Sequence, residues 1–200
     1  MGIGTTKMQE FVNSYLDFNL GYACVIGISI FLCYLSYVQK VAAVRRRRMR
    51  TQEIAQGILL TIYLVVLLGG TVLNRHYGEE FGVKLQLFWS YIEVFEKSKI
   101  GLAWQIVLNV LAFIPWGILF AHIWKGMRRP LWNVGSAFCF SALIELIQLV
   151  FRCGFFEFDD MFHNTLGALI GYGIWRWYMQ MGQKRKMRQK CRSHRRRGRN

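Results

Sequence analysis

Five long apolar runs, separated by segments that hold nearly all of the charge, limit what this 200-residue chain can fold into. The runs cover residues 20–44, 54–73, 102–124, 131–151 and 164–181. A helix crossing a bilayer needs about 20 predominantly apolar residues. A soluble domain would spread its charges along helix faces at a period of 3.6, and a disordered chain would lack the aromatic residues. The 54% hydrophobic share is not decisive alone, because soluble domains come close to it; the clustering decides. The expected fold is all-α, a polytopic membrane bundle of about five transmembrane helices.

The charges between the runs orient that bundle. The 26 Lys and Arg residues against 11 Asp and Glu give a formal charge of +15. Six basic residues, Lys40, Arg45, Arg46, Arg47, Arg48 and Arg50, lie between the first two runs. Three more, Lys125, Arg128 and Arg129, lie between the third and fourth, and ten lie in residues 184–199. Basic residues collect on the cytoplasmic side, so these segments and the C-terminus are expected inside and the N-terminus outside. Nine of the eleven acids fall on the opposite segments; Glu53 is inside and Glu145 lies within a run. Residues 1–19 have no basic region before the first apolar run, so a cleaved signal peptide is not expected, nor is a lipid anchor. Three regions follow: 1–50 with the first span, a membrane domain over 51–181, and a basic tail over 182–200.

That tail is expected to meet anionic lipid, at about 1 kcal/mol per basic residue near the surface, rather than nucleic acid. Cys24, Cys33, Cys139, Cys153 and Cys191 form no Cys-x-x-Cys pair. Neither a thiolate metal site nor an outer disulfide framework is indicated. No cofactor is expected.

Charge inside a bilayer costs about 2.5–3.5 kcal/mol per residue, which makes the fourth run informative. Ser141, Glu145, Gln148 and Arg152 follow i, i+4, i+7, i+11, one face of a helix. By helical rise, Glu145 lies about 9 Å and Asn109 about 10 Å below the outer ends of their spans. Asn74, Arg75 and Asn164 fall at outer span ends, and Glu157, Asp159 and Asp160 just before the last. These positions predict a water-accessible polar pocket opening outward. Against it stands a structural reading, in which Arg152 pairs with Glu157, Asp159 or Asp160 and the amides are interhelical hydrogen-bond glue. Asp159, Asp160 and His163 offer oxygen and imidazole ligands, but no third spaced ligand motif supports a metal site. Gly167, Ala168 and Gly171 read as a close helix-packing stripe, and Gly117 beside Pro115 as room for a neighbour.

Taken together, several of these elements resemble the VanZ-like family of bacterial membrane proteins. The resemblance runs from about Leu64 to Tyr178. It includes Thr71-x-x-x-Arg75, Leu87-Phe88-Trp89-Ser90-Tyr91 and Asn109-x-x-x-Phe113-Ile114-Pro115-x-Gly117. Its most specific part is Ser141-x-x-x-Glu145-x-x-Gln148-x-x-x-Arg152, then Gly154-x-Phe156-Glu157-x-Asp159-Asp160-x-x-x-Asn164-Thr165-x-Gly167. Residues 1–50 carry none of it. The resemblance implies a multi-pass helical bundle in the bacterial plasma membrane, associated with low-level resistance to teicoplanin-type glycopeptide antibiotics at the cell envelope. Carried over residue by residue, it points to Arg75, Asn109, Glu145, Gln148, Arg152, Asp159, Asp160 and Asn164.

Three functions fit these residues. One is a non-catalytic protein binding a cell-wall precursor, lipid-linked ligand or amphiphilic glycopeptide in the outward pocket, with Arg152 contacting an anionic or amide group. Another is a membrane enzyme acting on a lipid-linked envelope substrate, with Glu145, Asp159 or Asp160 as general acid or base. The third is an assembly protein whose polar stripe packs helices. No nucleophile motif or phosphate loop supports a specific reaction, which favours the non-enzymatic readings.

Overall fold

The computed structural model describes residues 20–46, 48–73, 82–97 and 100–197. Its helices are α1 (Leu20–Val44), α2 (Thr51–Leu68), α3 (Trp89–Lys97), α4 (Ile100–Ile123), α5 (Pro130–Val150) and α6 (Phe158–Arg197). Two short strands, β1 (Gly82–Lys84) and β2 (Phe155–Glu157), complete the set. Among the described residues, four helical segments are long and apolar enough to cross a membrane: Tyr22–Val44, Thr51–Val72, Gly101–Ile123 and Pro130–Val150. They coincide with the first four apolar runs, and the chain is a helical membrane bundle. The fifth run lies inside the 40-residue α6 and is not among the four, its apolar content diluted by Asn164, Arg176 and Gln180.

The chain divides into two units: Met1–Leu85 with Ala142–Phe158, and Gln86–Ser141 with Asp159–Asn200. In the first, α1 and α2 pack antiparallel through glycines. A Cβ on Gly57 would meet the Tyr34 and Phe31 rings, and one on Gly27 would lie 3.1 Å from Val65. Glu53, the acid expected on the inner side, accepts the Arg50 N–H at 2.9 Å, placing negative charge at the N-terminus of α2. The α2 helix then runs into a π-type turn at Gly69–Leu73. β1 and β2 pair in parallel, Gly82 with Phe155, Val83 with Phe156 and Lys84 with Glu157.

The end of α5 also belongs to this unit, and it corrects the sequence reading. Cys153 N–H donates to Gln148 O at 3.0 Å and Arg152 N–H to Leu149 O at 3.2 Å. That is the Schellman arrangement, with Arg152 in the left-handed position at φ 52°. The helix therefore stops at Val150, and Arg152 does not continue the face that Ser141, Glu145 and Gln148 share. Arg152 is exposed, while buried Cys153 folds back so that its thiol points to Gln148 O at 3.7 Å.

The second unit is built around α4 and α6, which run parallel with their backbones in close approach. A Cβ on Gly117 would overlap the Ala168 carbonyl oxygen, one on Gly167 the Val110 carbonyl oxygen, and one on Gly171 the Ile114 carbonyl oxygen. The small-residue stripe is packing, as its spacing predicts. The register sets Gly167 beside Val110, so residues 164–178 of α6 run at the level of residues 107–121 of α4. Phe113, Ala121, Ala137 and Ala168 are fully buried here, and Trp116 stacks on Phe120 at 3.9 Å. Asn133 donates to Gly117 O at 3.3 Å, and the Tyr172 hydroxyl to Arg128 O at 2.6 Å.

Candidate functional site

Of the eight residues that the sequence singled out, Arg75 lies outside the described residues. Glu145, Gln148 and Arg152 fall in the first unit, and Asn109, Asp159, Asp160 and Asn164 in the second.

In the first unit, Glu145 is 2% exposed and its Oε2 accepts the Glu157 backbone N–H at 3.0 Å. A carboxylate this deep needs a donor, and the end of β2 supplies one. Gln148 Nε2 donates to Thr71 O at 2.8 Å, fastening α5 to the π-type turn of α2. Glu157 turns to the other partner strand: Lys84 Nζ lies 3.0 Å from its Oε1 and also over the Phe155 ring. Lys84 is thus a cation on Glu157. Lys84 was not among the site residues read from sequence. Its pairing depends on a parallel contact between segments some 70 residues apart, and no local spacing foretells that.

In the second unit, the carboxylate of fully buried Asp159 receives three donors: the Phe88 N–H, the Ser90 N–H and the Ser90 hydroxyl. Phe88 and Ser90 bracket the first residue of α3, so Asp159 supplies from a distant part of the chain an acceptor for N–H groups at the helix N-terminus. Phe88 itself takes φ 64°, a left-handed conformation uncommon for a bulky residue. Phe162 packs edge-on against its ring at 5.5 Å. Next to this anchor, the Tyr91 hydroxyl and His163 Nε2 are 2.9 Å apart. Burial, and then the Asp159 carboxylate, raise the Tyr91 pKa; burial lowers that of His163, with Asp159 opposing. The Tyr91 phenol therefore stays protonated and the imidazole neutral near pH 7.

Asp160 accepts from Gln105 Nε2 at 3.4 Å, and Asn164 Nδ2 donates to Ser141 Oγ at 2.8 Å. The interhelical glue expected of Asn164 and Gln148 is present in both cases. Asn109 differs, for its buried Nδ2 has no partner among the described residues. Asn164 Oδ1 is likewise buried and unpartnered.

A family model described as VanZ/LLP1 matches residues 58–179. The chain belongs to the VanZ/LLP1 family. All eight candidate residues lie within the VanZ/LLP1 region, as do the β1–β2 pair, the Asp159 anchor and the glycines that join α4 to α6. The first span and the basic end of α6 lie outside it. No curated protein and no solved structure matches the chain.

Proposed function

We propose that this VanZ/LLP1 protein sits in the bacterial plasma membrane, crosses it five times with the N-terminus outside, and binds a cell-envelope ligand through polar side chains at its outer helix ends. The ligand is a cell-wall or lipid-linked precursor or an amphiphilic glycopeptide, and the binding contributes to teicoplanin-type resistance. The register of α6 against α4 supports the fifth crossing: a helix packed in parallel beside a membrane span shares its depth. The basic end of α6 then lies beyond the bilayer, where anionic headgroups attract it.

Arg152 carries the reading. Exposed at the end of α5, Arg152 offers a guanidinium that can donate to an anionic or amide group of a ligand. Glu145 and Gln148 position it by fixing the end of α5 through backbone partners. The engagement of Glu145 and Asp159 with backbone N–H groups supports binding over general acid–base chemistry, which needs a carboxylate free to exchange its proton.

Arg152→Gly tests this, because it removes the guanidinium while giving the backbone the residue it prefers. Teicoplanin susceptibility and membrane abundance of Arg152→Gly and Glu145→Gln are measured together in the native host. Raised susceptibility at normal abundance in Arg152→Gly supports the proposal. Unchanged susceptibility in both variants, or lost abundance in both, overturns it.

A further inference from the structure

We infer that α3 lies in the membrane interface, with the apolar edge that carries Phe88 and Ile92 seated among the lipids of the outer leaflet. The partner of this surface is membrane lipid, met at the level where headgroups give way to acyl chains. This placement rests on the fifth crossing proposed for α6.

One side of α3 is held against the start of α6. Ser90 is buried on the Asp159 carboxylate, and the Tyr91 hydroxyl meets His163. The adjacent edge is uncovered among the described residues. Phe88 and Ile92, joined by the bond from Ile92 N–H to Phe88 O, are each 44% exposed. Leu87 is exposed beside them, and so is Phe162 of α6, whose ring packs 5.5 Å from that of Phe88. The Phe88 ring also meets Tyr91 at 5.9 Å. Single exposed apolar side chains are ordinary, but a cluster held by aromatic packing marks a surface that something covers.

What covers it follows from α6 and α4. Phe162 and Leu169 stand seven residues apart on one face of α6, about 10 Å along its axis, with Leu166 between them. Leu169, like Ile170 and Ile174, is exposed alongside the α4 span, where a side chain faces lipid. Phe162 therefore extends the lipid-facing side of α6 toward its first turn.

The depth comes from α4. Asp160 accepts from Gln105, and Trp104 beside Gln105 is exposed in the first turn of the Gly101–Ile123 span. Indole rings collect at the boundary between membrane and water, and Phe162 lies within about one helical turn of that level. The patch on α3 thus continues the lipid-facing surface at interfacial depth. Glu93, about 100° further round α3 than Ile92, gives the helix a polar edge next to the apolar one. A helix with two such edges lies in the interface, its apolar side among the acyl chains.

The test places benzoylphenylalanine at Ile92, Leu169 or Met187 of the full-length protein. Each form is reconstituted at high dilution in vesicles of phosphatidylethanolamine and phosphatidylglycerol with an alkyne-tagged acyl chain. On illumination, Ile92 should capture lipid about fivefold or more above Met187, which is exposed toward the basic end of α6. Its yield should fall within about threefold of that at Leu169. With Leu169 labelled, an Ile92 yield no greater than that of Met187 overturns the inference, and so does capture of a second copy of the chain in place of lipid. An unlabelled Leu169 removes the fifth crossing itself, and the placement of α3 falls with it, so the two failures are told apart.

Discussion

Asp159 holds Ser90 twice, accepting its backbone N–H at 3.0 Å and its side-chain hydroxyl across 69 positions of sequence. With the Phe88 N–H added, this one carboxylate anchors the start of α3. Asp159→Ala should therefore release α3 locally and leave the rest of the unit folded. The lost cap and the exposed donors are together worth about 2–4 kcal/mol of local stability. Amide hydrogen exchange at Phe88 and Ser90 should accelerate by at least a hundredfold, while α4 amides near Ala112 keep their protection. Ser90→Ala, which removes only the hydroxyl, should cost about 1 kcal/mol.

The same anchor should loosen in acid through His163. Burial lowers the folded-state pKa of its imidazole below the ordinary 6.5. A base with a depressed folded pKa contributes stability above its unfolded pKa and loses it as pH falls through that value toward the folded one. Exchange protection at Tyr91 should accordingly begin to fall near pH 6.5 and keep falling below it. His163→Asn should flatten that part of the profile.

Glycine at 117, 167 and 171 is fixed by the α4–α6 approach. Alanine at any of the three places a methyl group into a carbonyl oxygen of the facing helix. Each substitution should cost about 1–3 kcal/mol, more where the backbones cannot part. Unfolding in mixed micelles measures it. Gly135 and Gly173 have nothing within reach of an added Cβ and serve as controls, where alanine should be neutral or stabilising.

Glu145 separates shape from charge. Gln offers the same carbonyl oxygen to the Glu157 N–H, so Glu145→Gln should keep the fold within about 1 kcal/mol. Leu offers nothing, leaves that N–H buried and orphaned, and should lower stability by about 1–3 kcal/mol. Thermal unfolding of the two variants in one detergent decides it.

The sequence made some of this readable and hid the rest for physical reasons. Apolar runs showed four spans because burial in lipid imposes length and composition on each helix separately. The stripe of Gly167, Ala168 and Gly171 was readable because close packing needs small residues at a fixed helical spacing. Arg152 misled, since i+11 spacing continues a helix only while the helix continues, and arginine in a left-handed cap carries no local warning. Glycine at that position would have marked the stop. The partners of Asp159 and Glu157 were hidden for a different cause: each bond joins segments about 70 residues apart, and no periodicity records such a meeting.

The α6 helix runs unbroken for 40 residues, about 60 Å. Asp159, Asp160 and Asn164 lie in its first two turns, and the basic residues crowd its opposite end. A rod of that length behaves as a lever. Pivoting it by 10° about its middle would carry each tip about 5 Å sideways, in opposite directions. A change of only a few degrees where Asp159 grips Ser90 would thus be felt as a displacement of the cationic arm on the far side.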